Sequence, residues 1–169
     1  MEPKNALLEA QQMLAIEDVY VQQAEARAGQ AYEPLTPPAS FVVQLRVTPR
    51  QQVHSIQYEA DGQPRVSIRY TVDTGLRLLM PDTDASKEEI PLEKIVAEIS
   101  AAFVVRYNLI DPTSKVSEEQ LLAFSENALF HMWPYWREFL QATASRLRLP
   151  AIILPMKAPR QNPAGTTQQ

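Results

Sequence analysis

Cysteine is absent from the 169-residue chain. That removes disulfides, cysteine-based zinc sites and thiol nucleophiles together, and it fits a reducing compartment, here taken as the cytoplasm. Histidine occurs only twice, at His54 and His131, with no spacing suited to metal ligation, so neither a metal nor a cofactor is expected. Glycine is scarce, four residues against fourteen prolines, which implies few hinges and many stiff turns. No glycine-rich phosphate loop and no G-x-S-x-G elbow occurs. No eighteen apolar residues follow one another, so no membrane span is expected. The opening MEPKNALLEAQQM carries acidic residues and no apolar run long enough for a signal peptide. Long basic runs are also missing. With a net charge of −4, this argues against a nucleic-acid surface.

What is present reads as an ordinary globular chain, 45% apolar and 21% charged, long enough for one proper core. Residues 1–13 have apolar positions near helical spacing but no partner, and are expected as a frayed helix or loose extension. Residues 14–156 form the expected single domain, and the polar, proline-containing stretch 157–169 is expected to be disordered. LAIEDVYVQQAEARA, Leu14 to Ala28, is ambiguous. Its first half alternates like a strand, whereas its Gln/Ala/Glu/Arg half prefers helix.

Gly29 to Ser40 is a proline-stiffened connection. Phe41, Val43, Leu45 and Val47 then alternate with polar residues as a half-buried strand, which Val53 to Tyr58 extends past an irregularity at Pro49. Asp61-Gly62 between apolar runs signals a hairpin. Val66, Ile68, Tyr70 and Val72 share a face of the next strand, near whose end Gly75 is expected to mark a bulge or bend. Met80 to Pro91 is an acidic loop, and a further strand alternates from Ile95 to Tyr107.

Ser117 and Gln120 then form a capping box ahead of an apolar stripe through Leu121, Leu122, Ser125, Ala128, Leu129 and Met132. A second stripe runs through Trp136, Phe139, Leu140, Thr143 and Leu147. Pro134 between them either kinks one long helix or opens a second. The sum is α+β: a four-stranded antiparallel sheet packed with a long, proline-kinked C-terminal helix.

Chemistry is hard to find. Glu126 and His131 are five apart and do not share a helix face, a poor acid/base pair. Glu88, Glu89 and Glu93 read as a solvated loop. Arg137 and Glu138 read as a salt-bridge network steadying the helix around Trp133, Pro134 and Tyr135. No catalytic residue is assigned.

Pro134-Tyr135-Trp136-Arg137-Glu138, followed by Leu149-Pro150-Ala151-Ile152-Ile153-Leu154-Pro155, resembles the SecB-type protein-export chaperones. That family carries Phe-Pro-Tyr-Ala-Arg-Glu on its long helix, then Phe-Pro, an apolar run and Ala-Pro. Trp133 here replaces the Phe and Trp136 the Ala. The upstream segments fall into family order, with Ile16 to Ala26 as strand one, which resolves that segment as β. Arg65 to Leu79 and Lys94 to Asn108 become strands three and four, and the match spans about Leu14 to Pro155.

The resemblance implies an ATP-independent holdase, assembled as a dimer of dimers, that binds unfolded polypeptides on apolar grooves and passes them to the translocation motor SecA. No nucleic acid, no cofactor and no catalysis are implied. Tyr32 and Leu35 on the stiff connection, with Ile152 and Leu154, are the implied client-binding residues. Trp133 and Trp136 are expected in the core or a dimer interface. Val96 and Glu98 match the family's apolar and acidic docking pair for the motor. Three features depart from the pattern. Gln23 and Arg27 stand where strand one should be acidic, and 156–169 cannot form the family's last amphipathic helix.

These departures make a dedicated client, such as the antitoxin of a toxin–antitoxin system, an alternative to general export. Two further alternatives are an enzyme of hot-dog type using Glu126 or His131, disfavoured because its helix sits between early strands, and a structural subunit with one fixed partner.

Overall fold

The computed structural model describes residues 3–30, 32–50 and 53–156. The expectation of a disordered stretch at 157–169 lies outside the described residues.

Among the described residues two helices and five strands follow in the order α1 (Pro3–Met13), β1 (Leu14–Ala28), β2 (Val42–Pro49), β3 (His54–Ala60), β4 (Gln63–Leu79), β5 (Ile95–Leu109) and α2 (Glu118–Arg146). A single 3-10 turn, Leu92–Lys94, precedes β5. All strand pairs are antiparallel, in the order β1-β5-β4-β2, with β3 also on β4.

The strand count is five where four were expected. β2 and β3 lie one after the other along the same edge of β4, with Pro49 opposite Val72 and His54 opposite Arg69. Proline lacks the N–H that would carry the ladder onward. The chain resumes pairing a few residues later, so the expected single strand is divided rather than displaced.

The hairpin after β3 has Asp61 and Gly62 at φ 55° and 69°, with Ala60 facing Gln63. Two consecutive left-handed residues give the strand ends the twist a two-residue turn needs. Gly75, by contrast, marks no bulge: its pairing with Arg46 and Ser100 runs on without a shift. The irregularities fall instead at Leu78/Leu79 and twice in β1.

The register divides the sheet into two faces. The inner face carries Val72, Leu76, Ile99, Phe103 and Tyr107, all nearly inaccessible, and packs beneath α2. α2 is one continuous helix with Pro134 inside it, started by the expected capping box: Ser117 Oγ accepts from Gln120 N and Gln120 Oε1 from Ser117 N. Its buried stripe is Phe124, Ala128, Met132, Trp136, Leu140 and Ala144. Leu122, expected in the stripe, faces out instead, because a period of 3.6 drawn through Met132 and Trp136 selects Phe124.

Edge-to-face aromatic contacts tie α2 to the sheet: Trp136 and Phe139 on Phe103, and Phe124 on Tyr107 at 4.9 Å between ring centroids. Trp133 and Trp136 are therefore core residues. Residues 3–13 are not loose. They form a helix whose Ala6 and Ala10 are fully buried, and Gln120 Nε2 of α2 donates to Glu9 Oε2 at 2.7 Å. Small residues spaced four apart let α1 approach closely, which supplies the partner its short length otherwise lacks.

Candidate functional site

α2 ends in a way that creates the site. Leu147 is the C-cap, Arg148 N donates to Ser145 O, and Leu149 N donates to Ala144 O. These are the two bonds of a Schellman cap, but Arg148, not glycine, occupies the left-handed position at φ 54°. Pro150 then forbids further helix, and residues 150–156 run back along the body as extended chain.

Alternation decides what this segment offers. Ile152 and Leu154 turn inward and are buried, whereas Ile153 and Met156 are 82% and 79% exposed. Trp133 Nε1 donates to Pro155 O at 2.9 Å and anchors the segment to α2. Between the segment and the inner face of β2 lies an open groove of about 450 Å³, lined by Phe41, Val43, Leu45, Leu78 and residues 150–155. Val43 and Leu45 are roughly half exposed there. The lining has almost no charge and no catalytic group, so it suits apolar side chains of an extended peptide.

The implied client-binding residues separate. Tyr32 is half-buried against the core, and its hydroxyl donates to Arg148 O at 2.8 Å, which ties the connection after β1 to the start of the extended segment. Leu35 is 85% exposed. Ile152 and Leu154 support the groove from beneath, so the accessible residues of that stretch are their neighbours Ile153 and Met156. Val43 and Leu45 were legible as apolar strand positions, but their exposure was not: among the described residues no helix covers β2.

The expected Arg137–Glu138 network is not formed. Glu138 is exposed and neither residue has an ion pair among the described residues, because adjacent helix positions diverge. Arg137 Nη1 instead reaches the Met156 thioether. Pro134 and Tyr135 lie on the exposed side of the helix.

The two residues expected as a docking pair are engaged within the chain. Val96 is buried, and Glu98 accepts from Arg27 Nη2 and from Arg77 Nε, each at 2.6 Å. Burial pushes the Glu98 carboxyl upward, but the bonds from Arg77 and Arg27 outweigh it and hold it below the ordinary carboxylate range. Gln23 is exposed on the same outer face, opposite Ala102.

The two enzyme-like residues stay apart. Glu126 is exposed on α2, while His131 Nδ1 sits 2.7 Å from Tyr107 Oη. Desolvation lowers the His131 pKa, and burial raises that of Tyr107. The pair reads as a satisfied half-buried hydrogen bond. Among the described residues no cluster of His, Asp and Glu could hold a metal ion, and no helix is long and apolar enough to cross a membrane.

The fold is that of the SecB-like chaperones. A solved structure of the Mycobacterium tuberculosis Rv1957 SecB-like chaperone, in complex with a ChAD peptide from the Rv1956 HigA1 antitoxin, aligns with a TM-score of 0.67 over 93% of this chain and 99% of that one. Identity is 18%, so the likeness is one of fold. No protein-family model and no curated protein matches the sequence.

Proposed function

We propose that the protein is an ATP-independent holdase that binds unfolded polypeptides along the groove between β2 and residues 150–155. The observation that carries this is an open, nearly uncharged apolar groove on a SecB-like fold. Holding a client needs exposed apolar surface that stays soluble and needs no reacting group, which agrees with a site devoid of nucleophile, metal cluster or acid/base pair. A cytoplasmic location and the absence of enzymatic activity follow from the same reading.

The structural neighbour binds a peptide from an antitoxin. That supports a dedicated client of the same kind over general export. Delivery to SecA has less support, since Val96 is buried and Glu98 is neutralised by two arginines. We further propose a homo-oligomer built on β1. This fifteen-residue strand borders the sheet, has no partner beyond β5 among the described residues, and leaves Ile16 and Val21 partly exposed. A long unpaired edge is a template for a second copy.

The test is light scattering from a chemically unfolded, unrelated protein diluted into buffer without nucleotide. Suppression of aggregation near stoichiometric amounts is expected, and its loss in Ile153→Asp with unchanged thermal melting places the client in the groove. No suppression of any unfolded chain, with tight binding to one folded partner, would favour the fixed structural subunit instead.

A further inference from the structure

β2 borders the groove and has one open edge. Its other edge pairs with β4 from Val42–Leu79 to Pro49–Val72 without a register shift. That ladder fixes which main-chain groups the open edge presents. In an antiparallel pair, opposite residues alternate between those that exchange both hydrogen bonds and those that exchange none. Arg50 N donates to Thr71 O at 2.8 Å, one step beyond the Pro49–Val72 pair. Counting back by twos, Thr48, Arg46, Gln44 and Val42 bond to β4, whereas Val43, Leu45 and Val47 turn amide and carbonyl to the open edge. Pro49 falls in the same outward set, where its missing N–H breaks no ladder bond.

The side chains follow the same count. Val43, Leu45 and Val47 lie opposite Leu78, Leu76 and Thr74, which are buried, so all three stand on the inner face. Val43 and Leu45 line the groove, and Val47 packs against the core beside them. The residues that offer unpaired main chain are thus the ones that carry apolar side chains on the groove side. Beyond Pro49 the edge changes character. Continuing the alternation along β4, Arg69, Ser67 and Arg65 bond to His54, Ile56 and Tyr58, which leaves Ser55, Gln57 and Glu59 facing outward. These three are polar and exposed.

Sheet edges are ordinarily blunted by an inward-pointing charge, a bulge or a cover. From Val42 to Thr48 the inner face carries no charged side chain and the register is unbroken. Among the described residues the main chain of this stretch has no partner other than β4. The loop after β4 is fastened from the outer face instead, where the Gln44 side chain donates to Ala85 O and Lys87 O.

We propose that a client segment is held as an added antiparallel strand on β2, bonded to the amides and carbonyls of Val43, Leu45 and Val47, with every second side chain turned into the groove. This rests on the reading of the groove as the client site and adds what the site selects. Main-chain bonds are indifferent to side-chain identity, so unrelated sequences can be held, and the groove then asks only for apolar residues at alternate positions. Antiparallel is the direction of every pair in this sheet. It sets the client's groove-facing residues directly opposite Val43, Leu45 and Val47, so those same client residues supply the N–H groups that meet β2 and cannot be proline.

The experiment is fluorescence anisotropy of three labelled peptides titrated with the full-length protein. One alternates Val and Ser, the second is N-methylated at every Val, and the third is N-methylated at every Ser. The unmethylated and Ser-methylated peptides are expected to bind alike, and the Val-methylated peptide about tenfold or more weaker. Leu45→Lys, which sets a charge on the inner face of the edge, is expected to weaken the unmethylated peptide similarly with thermal melting unchanged. Ala24→Pro on β1 is expected to leave that binding unaltered. Equal binding of all three peptides, or loss confined to the Ser-methylated one, overturns the proposal whatever Leu45→Lys does to folding. So does undiminished binding to a folded Leu45→Lys variant, or loss in Ala24→Pro instead. A smaller species for Leu45→Lys in analytical ultracentrifugation without peptide would give the edge to a second copy and overturns it too. Aggregation suppression separates this inference from the reading beneath it. Suppression that persists while the peptides fail these tests leaves a groove that holds clients without strand pairing. Its absence, with no peptide bound, removes the holdase as well.

Discussion

Gly29 follows the last residue of β1, and its amide donates to Val96 O at 2.7 Å. A Cβ there would stand 2.1 Å from the Ile95 carbonyl oxygen, a backbone atom that cannot swing aside. Gly29→Ala is expected to lower the unfolding free energy by about 2 kcal/mol or more, read from urea denaturation. Alanine at Gly75, whose Cβ would meet open space, should cost little by the same measurement. His131 gives a pH signature. Its pKa is lowered by desolvation, so the folded protein favours the neutral ring. The unfolded chain then binds the proton more readily, and stability present above the ordinary value of 6.5 is lost as pH falls. The urea midpoint should decline on acidification through this window, and His131→Gln should flatten the decline.

The two ends of α2 differ in quality. At its start a complete capping box satisfies two amides, and Ser117→Ala is expected to cost about 1 kcal/mol. At its finish Arg148 holds a left-handed conformation that its Cβ opposes. Arg148→Gly should therefore stabilise the protein by roughly 1 kcal/mol, since the Schellman bonds and the Tyr32 contact use only backbone atoms of residue 148. A drop in melting temperature would show that the arginine side chain matters more than its strain. β1 makes the third case. If copies associate through the edge of β1, which has no partner among the described residues, Ala24→Pro is expected to shift the protein to a smaller species in analytical ultracentrifugation.

For the molecule as a unit, the consequence of its layering is that α2 covers β4, β5 and part of β1 but leaves β2 open toward residues 150–155. The opposite face is polar and arginine-rich. Apolar and charged surfaces are thereby kept on opposite sides, so the molecule presents one apolar groove without a wholly apolar exterior. If the groove holds clients, Leu35→Asp should leave stability unaltered and alter client affinity only if the connection after β1 closes over the bound peptide. Comparing it with Ile153→Asp in the scattering assay maps how far the site extends.

Local chemistry carried most of the architecture. Alternation marked β2, β4 and β5; Asp61-Gly62 marked the hairpin; Ser117 and Gln120 marked the start of α2. Each of these depends on neighbours in the chain, whose geometry is set by period and by backbone freedom. Local pattern left Leu14–Ala28 open between helix and strand, and misread Gly75, because pairing partners decide whether a segment joins a sheet and whether a glycine bends it. The helix at 3–13 needed α2 beside it, through Ala6 and Ala10. The site was less legible still. Pro150 to Pro155 announced an extended apolar segment, but Ile152 and Leu154 prove to be its buried members and Ile153 its exposed one. Likewise Glu98 was visible as an acid and its two arginines as bases, seventy-one and twenty-one residues away. Which side of a strand meets solvent, and which charge meets its opposite, are long-range facts that only packing and register settle.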